Sequence, residues 1–339
     1  MGQTLWLLSY STSPVTSPRV SPRVRVYGIV AACAVAGAGL TVGVTLATRT
    51  TPPKPSAKRS GLPPLVLELG VRTDPEAVAL RRAADLYDRG QVRRAGVIFG
   101  RYHSLEAELG ADFAVWPDGF PEVRTLARTY PRNSLVQLNY GLELFWRGDD
   151  PGAKAAWSAA RRVQPDTPYA IRAGDLLHPN FPRGLPSFVP SFAAPSGIGK
   201  LSPPRQLALL ERRARSGGVR DKLLYGVALQ RLGRQVSALH EYEQAAALAP
   251  AAVEPRVAIA VARFDKADPS RAFSRLGPLA RRYPKSQSVR FHLGLCLLWL
   301  GSVDEAKRQL RLARAAGPRT TLGVESSRFL DRLAGTGTR

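Results

Sequence analysis

The chain has almost no sulfur: two cysteines, Cys33 and Cys296, and one methionine in 339 residues. One cysteine lies in an apolar run and the other in a helical pattern. That excludes a disulfide framework, and two distant thiols cannot build a metal site. Histidine is as scarce. His103, His178, His240 and His292 are scattered, and none stands in a His-x-x-x-His or His-Glu-x-x-His spacing. A glycine-rich phosphate loop is missing too. Gly197-Ile198-Gly199-Lys200 lacks the upstream glycine and has Leu201 where a hydroxyl is needed. Asp149-Asp150 is a paired carboxylate, but at a turn beside Pro151 it reads as a helix cap. No catalytic residue, metal site or cofactor is expected, and the chain reads as a non-enzyme.

Negative charge is also short: 26 acidic residues against 49 basic ones give a net charge of +23. Lysine contributes only 8 of the basic residues and arginine 41, which with abundant Ala, Gly and Pro suits a GC-rich bacterial genome. Clusters stand at Arg81-Arg82, Arg93-Arg94, Arg161-Arg162, Arg212-Arg213 with Arg215, and Arg281-Arg282. Two readings stay open: solvated faces of arginine-biased helices, or attraction to an anionic polymer or membrane surface. Aromatic residues are not interleaved with these clusters as a base-stacking platform requires, so nucleic acid is not the expected partner.

Long apolar runs are absent apart from one. Residues 26–47 carry no charge over 22 positions, which as a helix spans about 33 Å and suffices to cross a bilayer. Arg19, Arg23 and Arg25 precede it, and Arg49, Lys54, Lys58 and Arg59 follow. The expectation is a single-pass anchor, with a basic tail over 1–25 on the cytoplasmic side and the rest outside; the inverse orientation stays open. Val30-Ala31-Ala32-Cys33 resembles a bacterial lipobox, but apolar sequence continues to Ala47 where a lipoprotein would turn polar. Gly39 and Gly43 form a small-xxx-small pair through which two such helices can pack as a homodimer; glycine-rich composition explains the pair equally. A Thr/Pro/Ser/Lys-rich linker follows over 48–64, a composition that cannot pack a core.

What the chain does have is a period. Stretches beginning at Val219, Val253 and Gln287 are in register at a spacing of 34 residues. The eighth position is small (Gly226, Ala260, Gly294), the twentieth is Ala (Ala238, Ala272, Ala306), and the thirty-second is Pro (Pro250, Pro284, Pro318). The small residues let two antiparallel helices approach, a large residue follows at position twenty-four (Tyr242, Leu276, Leu310), and the proline stops the second helix. Gly233 and Gly301 fall at the turn between paired helices. A fourth copy begins at Ser134, with Gly141, Gly148, Ala153, Trp157, Ala160 and Pro165 at pattern positions; a looser fifth begins at Glu76, with Ala83, Gly90, Ala95 and Phe99. Such a period means stacked helical units and a binding surface.

These residues resemble the tetratricopeptide repeat family. Leu293-Gly294, Leu297, Ala306, Leu310, Ala313 and Pro318 carry the likeness most fully, although Lys222 and Arg290 stand where the family has Trp. The resemblance covers most of 75–318, with gaps near 110–120 and 168–216. It implies an all-α, right-handed solenoid of helix pairs. The expected layout is helical repeats over 65–167, then a helix, a Pro/Phe-rich loop and a helix over 168–218. Three repeats follow over 219–318, with a capping helix and tail over 319–339. In this family the first helix of each pair lines a concave face. Carried over by position, that face is Leu138, Leu142 and Phe145 upstream, then Val227, Val261, Phe264, Phe291 and Leu295. It is apolar and lacks the Lys/Arg/Asn set that clamps a peptide carboxylate, so the implied ligand is an apolar helix or extended peptide of a partner protein. The loop at 178–202, with five prolines and Phe181, Phe188 and Phe192, either folds over that face or packs as a spacer.

Overall fold

The computed structural model describes residues 57–335, which exclude the basic tail, the uncharged run with its Gly39/Gly43 pair, and most of the linker. Among the described residues no helix is long and apolar enough to cross a membrane. The regular structure there is all-helical. The helices are α1 Pro75–Asp88, α2 Val92–Phe99, α3 Leu105–Ala114, α4 Phe120–Thr129, α5 Ser134–Trp146, α6 Asp150–Val163, α7 Pro168–Leu177, α8 Pro203–Ser216, α9 Val219–Arg231, α10 Gln235–Leu248, α11 Val253–Ala262, α12 Ser270–Arg282, α13 Gln287–Trp299, α14 Val303–Ala316 and α15 Thr321–Gly335.

The 34-residue period is physical: α9, α11 and α13 begin at the three in-register positions. Side-chain caps fix several starts, including Asn133 on Val136 N–H at 3.2 Å and Asp149 on Gly152 N–H at 2.9 Å. Pro250, Pro284 and Pro318 each fall two residues beyond the end of α10, α12 and α14. Gly90, Gly148, Gly233 and Gly301 turn the chain with φ between 74° and 84°, a backbone region that other residues enter only under strain.

The small eighth position exists to receive position twenty-four. A Cβ built on Gly226 would lie 2.3 Å from the Tyr242 ring, one on Gly141 2.5 Å from the Trp157 indole, and one on Gly294 3.0 Å from Leu310. Each pair therefore interlocks a bare backbone with the largest side chain opposite. Neighbouring pairs stack through their first helices, with α1, α3, α5 and α7 in one run and α9, α11, α13 and α15 in the next. The sequence pattern lapses near 110–120, yet α3 and α4 form a packed pair there.

The two runs have separate hydrophobic cores, one built around Leu80, Phe99, Phe113, Leu138 and Trp157 and one around Val227, Tyr242, Val261 and Leu276. Polar contacts join them. Arg161 pairs with Asp265 at 2.5 Å, and Asp166 accepts from the backbone of Ser237 at 2.9 Å. Between α7 and α8 the chain has only a short 3-10 turn, Ile198–Lys200.

Candidate functional site: two grooves filled by the chain itself

The first helices present an apolar floor in each run, and in each an extended segment of the same polypeptide lies on it. In the N-terminal run the segment is 59–69. Leu65 and Leu69 are buried in one cluster with Leu135, Leu138 and Leu142. Leu138 and Leu142 are thus core, and Phe145 is half-buried beneath Arg59, whose guanidinium carbon sits 3.3 Å from the ring centroid. Arg59 also pairs with Asp150 at 3.3 Å, and its backbone N–H donates to Trp146 O at 2.9 Å.

Asn139 grips the middle of this segment. Its Oδ1 accepts from Val66 N–H at 2.9 Å, and its Nδ2 donates to Val66 O at 3.0 Å. One fully buried side chain so pairs both backbone groups of one residue, as a neighbouring strand would. Tyr169 OH accepts from Glu68 N–H at 3.1 Å, and Tyr87 OH donates to Pro63 O at 2.7 Å.

The loop at 178–202 does the same in the C-terminal run. Phe188 is fully buried in one cluster with Leu223, Val227, Val257, Val261 and Phe264, while Phe181 and Phe192 pack at its margin. Of the positions assigned to a binding groove, Val227, Val261, Phe264, Phe291 and Leu295 are all buried here. Phe291 also meets Phe329 of α15, ring centroids 6.1 Å apart. Side chains of the inner helices again hold the backbone. Gln230 Oε1 accepts from Phe188 N–H at 3.0 Å, His292 Nε2 from Val189 N–H at 2.9 Å, and Glu254 Oε1 from Ser191 N–H at 2.7 Å. Trp299 Nε1 donates to Gly184 O at 3.2 Å.

The two arrangements share a direction and a position. Arg59 lies at the C-terminal end of α5 and Val66 further back along it; Gly184 lies at the C-terminal end of α13 and Val189 further back. Both segments run antiparallel to the first helix. Asn139 and His292 occupy the same sixth position of their repeats, counted from Ser134 and Gln287.

His292 has one tautomer open to it. Because Nε2 accepts from a backbone N–H, the proton sits on Nδ1, which donates to Ser288 O at 2.7 Å. The ring stacks on Phe188, centroids 5.0 Å apart and 20° between planes. Burial pushes the imidazole down to about 4, so it is neutral at pH 7. Lys266 closes the entrance to the loop, its ammonium donating to Asp175 and to Pro182 O. Burial lowers its pKa, opposed by the Asp175 hydrogen bond.

Sequence reasoning placed Gln230 on the concave face but missed Asn139 and His292 as groove residues. The signal was present as a polar residue within an otherwise apolar helix, but the partner of each lies far away, 73 residues for Asn139 and 103 for His292. Among the described residues no group of three or more His, Cys, Asp or Glu could hold a metal ion. Cys296 is buried, and burial raises its thiol pKa.

No protein-family model and no curated protein matches the chain. Solved structures are similar at a low level, among them the following three. The crystal structure of yeast Tom70 has 12% identity and a TM-score of 0.27, over 75% of this chain and 47% of that one, so the chain spans about half its length. The crystal structure of the P58(IPK) TPR domain has 14% identity and a TM-score of 0.27, over 78% and 80%. That of the APC/C hetero-tetramer Cut9-Hcn1 has 12% identity and a TM-score of 0.26, over 76% and 56%. The repeat architecture of this chain rests on its own helix spacing and on the interlock of positions eight and twenty-four.

Proposed function

We propose that the chain is a non-catalytic protein-interaction scaffold, held at a membrane by residues 26–47 with its tail inside and its repeats outside. One observation carries the reading. Both grooves hold extended polypeptide, with an apolar floor for its side chains and buried polar side chains aimed at its backbone. Recognition of backbone by fixed side chains works for any sequence of suitable shape, while the floor selects apolar residues. A partner's extended segment binds by the same contacts, in exchange for part of 59–69 or 181–192. Anchoring supplies the second half of the function by confining that recognition to a surface; its support is the uncharged 22-residue run and its basic flanks.

A photo-crosslinking amino acid at the groove rims tests this in intact cells, in place of Arg220 beside Phe192 or of Arg172, whose charge acts on Glu68. Adducts to a second polypeptide are expected from both positions, and none from a control at Leu312 on the outer layer. Adducts confined to the chain's own segments would remove groove exchange from the account.

A further inference from the structure

One face near the start of the helical array is built for a different ligand. Arg82 of α1, Arg93 and Arg94 of α2, and Arg101 just beyond it line a shallow depression of about 370 Å³ together with Leu86, Val97 and Ile98. All four arginines are exposed. Some arginines elsewhere pair with carboxylates, as Arg161 does with Asp265, Arg213 with Asp221 and Arg263 with Glu243. Among the described residues none of these four makes an ion pair; Arg94 donates to the neutral Gln91, and Asp85 and Asp88 of α1 lie beyond ion-pair distance. Between and beside the charges, Val78 and Val97 are exposed at 54% and 62%. Unpaired guanidinium groups suit phosphate oxygens, which they bind in bidentate fashion, and the exposed valines suit the boundary between headgroup and acyl chain.

If residues 26–47 cross a bilayer, the length of the linker leaves this face within reach of it. The described chain begins at residue 57, and Pro63 touches Tyr87 of α1, whose neighbour Leu86 lines the depression. Between position 47 and Pro63 lie fifteen residues, which reach about 50 Å when extended.

We propose that the α1–α2 face carrying Arg82, Arg93, Arg94 and Arg101 binds the phosphate groups of anionic lipids in the bilayer that holds residues 26–47, and so fixes how the array lies on that surface. This rests on the anchoring reading. Each arginine at an anionic surface strengthens attraction about fivefold, and the effect decays within a Debye length of about 8 Å at physiological salt, so contact must be close.

The full chain is reconstituted into vesicles of phosphatidylcholine alone, and of phosphatidylcholine and phosphatidylglycerol in equal parts. A fluorescent amino acid replaces Val97, or Leu312 as a control, and a headgroup-spin-labelled lipid quenches it. Quenching at position 97 is expected to be severalfold stronger in the anionic vesicles and to fall to the neutral-vesicle level in Arg82→Glu/Arg93→Glu/Arg94→Glu. Position 312 should not respond. Equal quenching in both vesicles, or indifference to the triple reversal, would overturn the proposal. Loss of the anionic-vesicle signal on adding inorganic phosphate at constant ionic strength would assign the site to a free anion and overturn it as well. Flotation separates the two readings. A chain that floats with neutral vesicles yet shows no charge-dependent quenching keeps its anchor and loses this face. A chain that floats only with anionic vesicles loses the anchor and keeps the face, and one that floats with neither loses both.

Discussion

The backbone N–H of Val189 donates to Nε2 of His292 at 2.9 Å, a bond between residues 103 positions apart that ties the proline-rich loop to the last repeat. It requires a neutral imidazole. Protonation would turn the acceptor into a donor facing a donor.

That relationship makes one part of stability acid-sensitive. The folded pKa of His292 is pushed down to about 4 from an ordinary 6.5, so the unfolded chain takes up the proton first as pH falls. The stabilisation is complete above pH 6.5 and is lost between 6.5 and 4, amounting to about 3 kcal/mol. Chemical denaturation of the wild type and of His292→Gln across that window should show the wild type losing this increment and the variant not. Parallel curves would show that the imidazole does not titrate in this way.

Glu143 acts in the opposite direction. It is fully buried on α5, and neither carboxylate oxygen has a hydrogen-bond partner. Burial, reinforced by the charge of Asp112 and opposed by Arg147, pushes it up to about 8. The folded chain holds the proton that the unfolded chain releases above pH 4.5, so stability falls as pH rises from 4.5 to 8. Glu143→Gln should be more stable than wild type at pH 8 by a few kcal/mol and nearly equal to it at pH 4.5. Unfolding midpoints at the two pH values measure this, and an equal difference at both would reject it.

Phe188 anchors the loop. Truncation to Ala removes a fully buried ring between Tyr242 and His292 and should cost about 3–5 kcal/mol by equilibrium unfolding. Phe192→Ala, at the half-buried margin beneath Arg220, should cost clearly less. Equal losses would mean that the loop is held by its backbone bonds and not by its side chain.

Asn139 holds the entry segment by two bonds to Val66. Asn139→Leu leaves two backbone groups without that partner and should cost about 2–4 kcal/mol. Asn139→Asp keeps the acceptor and loses the donor, and should fall between. Hydrogen exchange at the Val66 amide, faster in Asn139→Leu than in Asn139→Asp, reads the contact directly.

The repeat interlock predicts coupling. Gly226→Ala drives a methyl into the Tyr242 ring and should cost about 1–3 kcal/mol, with much of the loss recovered against a Tyr242→Leu background. Strictly additive losses would mean that the two residues do not share the contact. Gly294 faces the smaller Leu310, so Gly294→Ala should be milder.

Helices and their pairing were legible in the sequence because both are local. Period, small residues and helix stops lie within 34 positions, and α9, α11 and α13 start at the residues that the spacing marks. The pair α3–α4 was not legible, since it packs through the same neighbours without the repeat's residues. The apolar positions Val227, Val261 and Phe264 could be read onto the first helices, but whether they faced a partner or the chain itself could not. An apolar side chain looks the same in sequence whether its cover comes from outside or from 40 residues away.

The sequence by itself determined an all-helical repeat, its register and its excess of arginine. Only the tertiary structure decided that residues 59–69 and 181–192 fill the grooves, that Asn139 and His292 hold them from one repeat position, and that four arginines line one depression without carboxylates. The first two depend on contacts between residues distant along the chain. Such contacts follow from how stacked helices direct their faces, and no local pattern encodes them.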